Sequence, residues 1–166
     1  APGFNADAVT VNPYMGKDTL EPFITRAQAE GKGVAVLVRT SNPGAGDFQD
    51  QQVGGAPVWQ RVAEMLSPEC ARLRGASGWS GLMAVAGATY PEEARKLREA
   101  MPEALFLIPG YGAQGASAQE AERLVVGRPK AILVDVPPAD VPPVPAVREG
   151  FVPRGAGFLS RWFGRS

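Results

Sequence analysis

One unit recurs along this chain and limits what it can fold into: a short apolar run of β type, a loop rich in Gly, Pro and Asn, then an amphipathic helix. Ala8-Val9-Thr10-Val11 is the first run, closed by Asn12-Pro13. Gly33-Val34-Ala35-Val36-Leu37-Val38 is the second, closed by Arg39-Thr40-Ser41-Asn42-Pro43-Gly44, and Gly81-Leu82-Met83-Ala84-Val85-Ala86 is the third, closed by Gly87-Ala88-Thr89. Leu105-Phe106-Leu107-Ile108 is the fourth, where Pro109 stops the ladder, and Ala131-Ile132-Leu133-Val134 is the fifth. Uniformly apolar runs suit strands of a parallel sheet covered on both faces. Five of them alternating with four helices predict an α/β fold of parallel βα units with right-handed crossovers, either a doubly wound sheet or part of a βα barrel.

The helices are read from their spacing. Leu20, Phe23, Ile24 and Ala27 recur at i, i+3, i+4 and i+7, with Asp18 and Glu21 fitting a capping box and Gly31 ending the segment. Val58, Val62, Met65 and Leu66 mark the second helix, which Ser67-Pro68 interrupts. Pro91 opens the third, with Ala94, Leu97 and Met101 on one face. Ser117 and Glu120 fit a capping box for the fourth, whose apolar side is Ala121, Leu124 and Val125. Between the second run and the second helix, residues 44 to 57 are polar and hold four glycines. That length predicts a lid or ligand-binding loop rather than a tight connection.

In either architecture, function gathers at the carboxyl ends of the strands. Those ends are Asn12-Pro13, Arg39 to Asn42, Ala88-Thr89, Pro109-Gly110 and Asp135. They are rich in hydrogen-bond donors and poor in acids and bases. Lys17 is the lysine nearest them, beside a helix cap. The stretch Pro109-Gly110-Tyr111-Gly112-Ala113-Gln114-Gly115-Ala116-Ser117 has the look of a phosphate cradle: Gly110, Gly112 and Gly115 permit positive φ and close approach, and a helix N-terminus follows. An ordinary strand-to-helix turn also uses glycine, and the pattern is neither a Walker loop nor G-x-G-x-x-G, so both readings stand on spacing alone.

Composition narrows the chemistry. The chain has no histidine, which removes Ser-His-Asp and Cys-His catalysis and argues against a zinc site. Lys+Arg and Asp+Glu both number 17, so no net field favours nucleic acid or a membrane surface. No apolar run approaches the roughly 20 residues of a membrane span. The single cysteine, Cys70, makes no internal disulfide and suits a reducing cytoplasm. The first residue is Ala1 rather than methionine, and the sequence is read as a piece cut from something longer.

Four stretches in this order carry a family resemblance: Asp7-Ala8-Val9-Thr10-Val11-Asn12-Pro13-Tyr14-Met15-Gly16, Val38-Arg39-Thr40-Ser41-Asn42-Pro43-Gly44-Ala45, Gly87-Ala88-Thr89-Tyr90-Pro91 and Pro109 to Gly115. They resemble orotidine 5'-phosphate decarboxylase, in the bacterial branch often called type 2, over residues 7 to about 134. The resemblance implies a TIM barrel that works as a homodimer and converts orotidine monophosphate to uridine monophosphate without metal or organic cofactor. It makes the five β-runs the family's strands four to eight, so that residues 1–136 form a partial (βα) barrel. It also implies that Ser41 hydrogen-bonds the pyrimidine amide edge and that Gln114 bridges toward that serine and the 5'-phosphate. Pro109, Gly110 and Tyr111 then belong to the loop that closes over the phosphate. Such a site spends remote phosphate binding energy on closure and on pressing the reacting carboxylate into a hostile position.

Two departures accompany the matches. The family's lysine-aspartate array, with one aspartate from the partner subunit, belongs to the second and third strands, so no catalytic residue is assigned within this chain. After the fifth run the family has a Ser-Arg-Gly type motif whose arginine grips the phosphate, where this chain has Val134-Asp135-Val136-Pro137-Pro138. Arg39, Arg148 and Arg154 stay open as substitutes. Residues 137–166 read as a proline-rich linker and a basic tail in which Phe158 to Phe163 is amphipathic. The expectation is therefore a nucleotide-phosphate-binding portion of the decarboxylase, inactive when isolated, or a non-catalytic remnant half-barrel. Either is expected to associate with a second copy or with a chain supplying the missing half, because a partial barrel leaves open sheet edges.

Overall fold

The computed structural model describes residues 6–87 and 91–109, together with the backbone of 131–134. In chain order the elements are β1 (Ala8–Val11), α1 (Lys17–Glu30), β2 (Gly33–Arg39), α2 (Gly46–Gln49), β3 (Gln52–Val53), β4 (Ala56–Pro57), α3 (Val58–Leu66), β5 (Ser80–Ala86), α4 (Pro91–Ala100), β6 (Ala104–Pro109) and β7 (Ala131–Val134). Short 3-10 segments lie at Pro13–Met15, Pro43–Ala45 and Ser67–Leu73. All of these fall in a unit spanning Ala1–Asp135. The proline-rich linker and tail expected after residue 136, with Arg148 and Arg154, lie outside the described residues, as do the capping box at Ser117 and the helix after it.

The five β-runs form one parallel sheet in the order β1-β2-β5-β6-β7. Each strand lies beside the strand of the preceding βα unit, so the order never reverses as it does at the switch point of a doubly wound sheet. The packing agrees. Val34, Val36 and Val38 of β2, Leu82, Ala84 and Ala86 of β5, and Ala104, Phe106 and Ile108 of β6 share one buried cluster with Leu20, Ile24, Trp59, Ala63, Leu66, Ala94, Leu97 and Met101 from the helical segments. The intervening side chains turn the other way: Ala35, Met83 and Val85 are buried there, with Leu37, Leu105 and Leu107 packed at their margin. Helices on one face and a second apolar layer built by strands alone describe a segment of a βα barrel. Among the described residues the sheet does not close.

Local chemistry explains the element boundaries and corrects some expectations. Gly31 ends α1 in the left-handed conformation at φ 64°, where Gly pays no Cβ penalty. The Asp18–Glu21 capping box does not form, because α1 begins at Lys17 with Gly16 as its N-cap at φ 99°. Thr19 Oγ1 instead donates to the Gly16 carbonyl at 2.8 Å, and Glu21 is drawn sideways to Arg72. Leu20, Ile24 and Ala27 are buried as the spacing predicts, whereas Phe23 is 44% exposed, on the side of α1 that faces β1. Pro68 converts the end of α3 into the 3-10 segment Ser67–Leu73, since it cannot donate the next helical bond. The expected lid at 44–57 folds as Pro43–Ala45, α2 and a tight β3–β4 hairpin. Gly54 and Gly55 turn that hairpin at φ 58° and 80°, a conformation L side chains rarely adopt. Arg61 of α3 holds it down by donating from Nε to the Val53 carbonyl at 2.8 Å.

Candidate functional site at the carboxyl ends of the strands

Parallel pairing places the carboxyl ends of β1, β2, β5 and β6 at one end of the sheet. Asn12 caps the 3-10 turn after β1 by accepting from the Tyr14 N–H at 2.9 Å. Tyr14 then meets Phe48 of α2 edge to face, with ring centroids 5.5 Å apart. Both rings line a cleft of about 280 Å³ whose walls also include Asn12, Leu37, Gln49 and Val62.

The loop after β2 is the most heavily organised part of this end. The β2–β5 register slips between Leu37 and Arg39, so Leu37 faces Val85 while Arg39 faces Ala86. Such an irregularity re-aims the residues beyond it. Arg39 is 3% exposed, and its guanidinium spreads over groups from two elements. Nε donates to Glu93 Oε2 at 2.5 Å, Nη2 lies 3.1 Å from Asp50 Oδ1, and Nη1 reaches Gln49 Oε1 at 3.4 Å. A planar fork that stays charged suits this task, since one buried cation ties the turn after α2 and the first turn of α4 to the end of β2. Arg39, one of three candidates to replace the phosphate-gripping arginine, is thus committed to carboxylates.

Next in the chain, Gln49 Oε1 accepts the Thr40 N–H at 2.9 Å and Gln49 Nε2 donates to Thr40 Oγ1 at 2.8 Å. Thr40 Oγ1 in turn donates a hydrogen bond to Asn42 Oδ1 at 2.6 Å. Ser41 is half-buried between these two anchored residues. Behind it, the Gly87 N–H donates to the Arg39 carbonyl at 2.7 Å. A Cβ on Gly87 would lie 3.0 Å from Ser41 Cα, Cβ and N. A side chain at position 87 would therefore press on the backbone of Ser41.

Of the residues singled out from sequence, Ser41 follows β2 and Pro109 ends β6 opposite Val134, at the same end of the sheet with β5 between their strands. Gly110, Tyr111 and Gln114 lie outside the described residues, as do Ala88, Thr89 and Asp135. Lys17 pairs with Glu69, which also accepts from Arg72 at 2.9 Å. The expectation of a strand-end face poor in acids is corrected by Asp50 and Glu93, both turned onto Arg39. Gln49 and Asp50 carried no sequence signal, being polar residues in a polar stretch. Glu93 had a faint one in its place just after the Gly87-Ala88-Thr89 turn. Among the described residues no group of three or more His, Cys, Asp or Glu could hold a metal ion. Among them, too, no helix is long and apolar enough to cross a membrane.

Sequential parallel strands with helices on one face define a protein of the βα-barrel class, here a sheet that does not close among the described residues. The chain belongs to the orotidine 5'-phosphate decarboxylase / HUMPS family, whose model matches residues 3–133. It is 48% identical over 136 residues to the orotidine 5'-phosphate decarboxylase of Halorubrum lacusprofundi, covering 79% of this chain and 44% of that protein. It is 46% identical over 117 residues to the decarboxylase of Rhodopirellula baltica, covering 70% of this chain and 39% of that protein. Among solved structures, Leishmania donovani OMP decarboxylase is similar with a TM-score of 0.56 and 37% identity, over 66% of this chain and 40% of that one. The chain thus spans about two fifths of the length of these relatives.

Proposed function

We propose that this chain carries the pyrimidine- and phosphate-binding part of an orotidine 5'-phosphate decarboxylase site. Ser41 meets the pyrimidine amide edge, Gln114 bridges from it toward the 5'-phosphate, and Pro109, Gly110 and Tyr111 belong to the loop over that phosphate. The observation that carries this reading is the fixing of Ser41 at the carboxyl end of β2, between Thr40 and Asn42 and against Gly87, in a chain of this family. Holding a hydrogen-bonding group in place before the ligand arrives lowers the ordering cost of binding. The lysine-aspartate array that strains the substrate carboxylate is assigned to the remainder of the relatives' length, so the isolated chain binds nucleotide without turning it over.

Titration with uridine monophosphate and orotidine monophosphate by calorimetry tests this reading. Saturable heat with both is expected, and no heat at millimolar ligand would overturn it. Loss of orotidine absorbance should not occur, and measurable turnover would show that the reacting groups lie within this chain.

A specific feature also favours a second reading, in which the chain is a non-catalytic half-barrel that works through a partner. Among the described residues β1 pairs only with β2, so the other edge of β1 is open. Val9 is 45% and Phe23 44% exposed beside a groove of about 830 Å³ between β1 and α1. A parallel strand and its helix, from the missing half or from a second copy, would cover both. Light scattering tests the second-copy case, since a monodisperse monomer at micromolar concentration contradicts self-association.

A further inference from the structure

Taking Ser41 as the pyrimidine contact, as proposed above, we infer that Gln49 is the positioning residue that sets it, through a carboxamide clamp on Thr40. Strand β2 ends at Arg39, and the next backbone N–H, that of Thr40, is bonded by the Gln49 side chain, whose Oε1 lies 2.9 Å away. The same planar group donates from Nε2 to Thr40 Oγ1 at 2.8 Å. A carboxamide is the side-chain group that offers an acceptor and a donor side by side, which is what this pair of contacts requires. Because Thr40 Oγ1 accepts from Gln49, its proton goes to Asn42 Oδ1 at 2.6 Å, which fixes the residue on the far side of Ser41 as well. Arg39 steadies the clamp from behind, with Nη1 at 3.4 Å from Gln49 Oε1 and Nη2 on Asp50. Gly87 ties the other side to β5, its N–H donating to the Arg39 carbonyl at 2.7 Å, and a Cβ added there would press on the Ser41 backbone. Gln49 acts on Ser41 through Thr40, from a helix of four residues inside a stretch that sequence marks as loop.

The clamp is tested in the full chain with Gln49→Ala, Gln49→Glu, Ser41→Ala and the Ser41→Ala/Gln49→Ala double variant, using uridine monophosphate as the probe. Gln49→Ala should weaken binding about tenfold, the effect of one well-placed hydrogen bond. The double variant should bind no more weakly than Ser41→Ala alone, since both changes remove one contribution. Gln49→Glu, which keeps the acceptor and loses the donor, should free the Thr40 hydroxyl from Asn42 and weaken binding without unfolding the chain. Hydrogen exchange of the Thr40 amide should accelerate at least about tenfold in Gln49→Ala, and the nuclear Overhauser contact between Ser41 and Gly87 should weaken. Additive losses in the double variant, or a Thr40 amide that stays protected, would overturn the inference. If the unsubstituted chain binds no nucleotide, the functional reading fails, and the Thr40 exchange and the Ser41–Gly87 contact still decide whether Gln49 positions Ser41.

Discussion

A side-chain carbon on Gly87 would stand 3.0 Å from the Cα, Cβ and N of Ser41, so the loops after β2 and β5 touch backbone to backbone. Neither partner has a flexible end that could swing aside.

Replacing Gly87 with Ala should therefore cost about 1–3 kcal/mol of stability, the usual penalty for overpacking a closed site. It should weaken uridine monophosphate binding by more than its effect on folding, because the displaced group is Ser41 itself. Urea unfolding and calorimetry on the same variant measure the two effects. The comparison is Gly31→Ala, where nothing lies within 4 Å and only the positive φ is strained. That change should lower stability by about 1 kcal/mol and leave binding alone.

Arg39→Met keeps much of the buried stem and deletes the charge that Glu93 and Asp50 share. Breaking a fully buried pair costs roughly 3–5 kcal/mol, but Glu93 and Asp50 are 29% and 47% exposed and recover some hydration, so about 2 kcal/mol is expected. Arg39→Lys should recover only part of it, since an ammonium cannot span both carboxylates. Denaturant midpoints at unchanged slope check the order Arg, Lys, Met.

Cys70 is 2% exposed, and burial pushes its thiol up to about 11. The thiolate is the reactive form, so a disulfide reagent at pH 8 should label Cys70 at the rate of unfolding and no faster. Labelling that proceeds in native conditions at the rate of a free thiol would contradict the buried placement.

Glu21 accepts from both Nη atoms of Arg72, at 2.8 and 2.7 Å, and these bonds, with help from Thr25, bring its carboxyl from the ordinary 4.5 down to about 2. A carboxyl whose folded pKa is depressed favours the fold above its unfolded value, and that contribution disappears as pH falls from about 4.5 to 2. Glu21 is 44% exposed, so the gain in stability is small and the titration itself is the better readout. Arg72→Ala should move the Glu21 midpoint upward in a carbon-detected titration. Glu69 should shift less, because Lys17 remains beside it.

The sheet was legible because its strands are predominantly apolar, and the five runs match its five strands to within a residue or two. Spacing could not choose between two architectures, since Val34 and Ala35 are equally apolar although one faces helices and the other faces strands. The strand order makes that choice. The β3–β4 hairpin was hidden because Gln52 and Val53 alternate with nothing and only Gly54-Gly55 marks the turn. At the strand ends, the motif around Ser41 was visible in the sequence, whereas the parts played by Gln49 and Glu93 were not. They come from a polar stretch and from a helix more than 50 residues downstream of Arg39, and only folding brings them to the same guanidinium.

Nearest-neighbour strand order also governs how this protein is made. Among the described strands of the sheet, each one after β1 pairs with the strand of the unit synthesised just before it, so none of these pairings waits for a distant segment to leave the ribosome. The short sequence separations keep loop closure inexpensive and favour rapid growth of the sheet one unit at a time. The vulnerable interval is at the growing end, where each newly paired strand offers an open edge until its successor arrives.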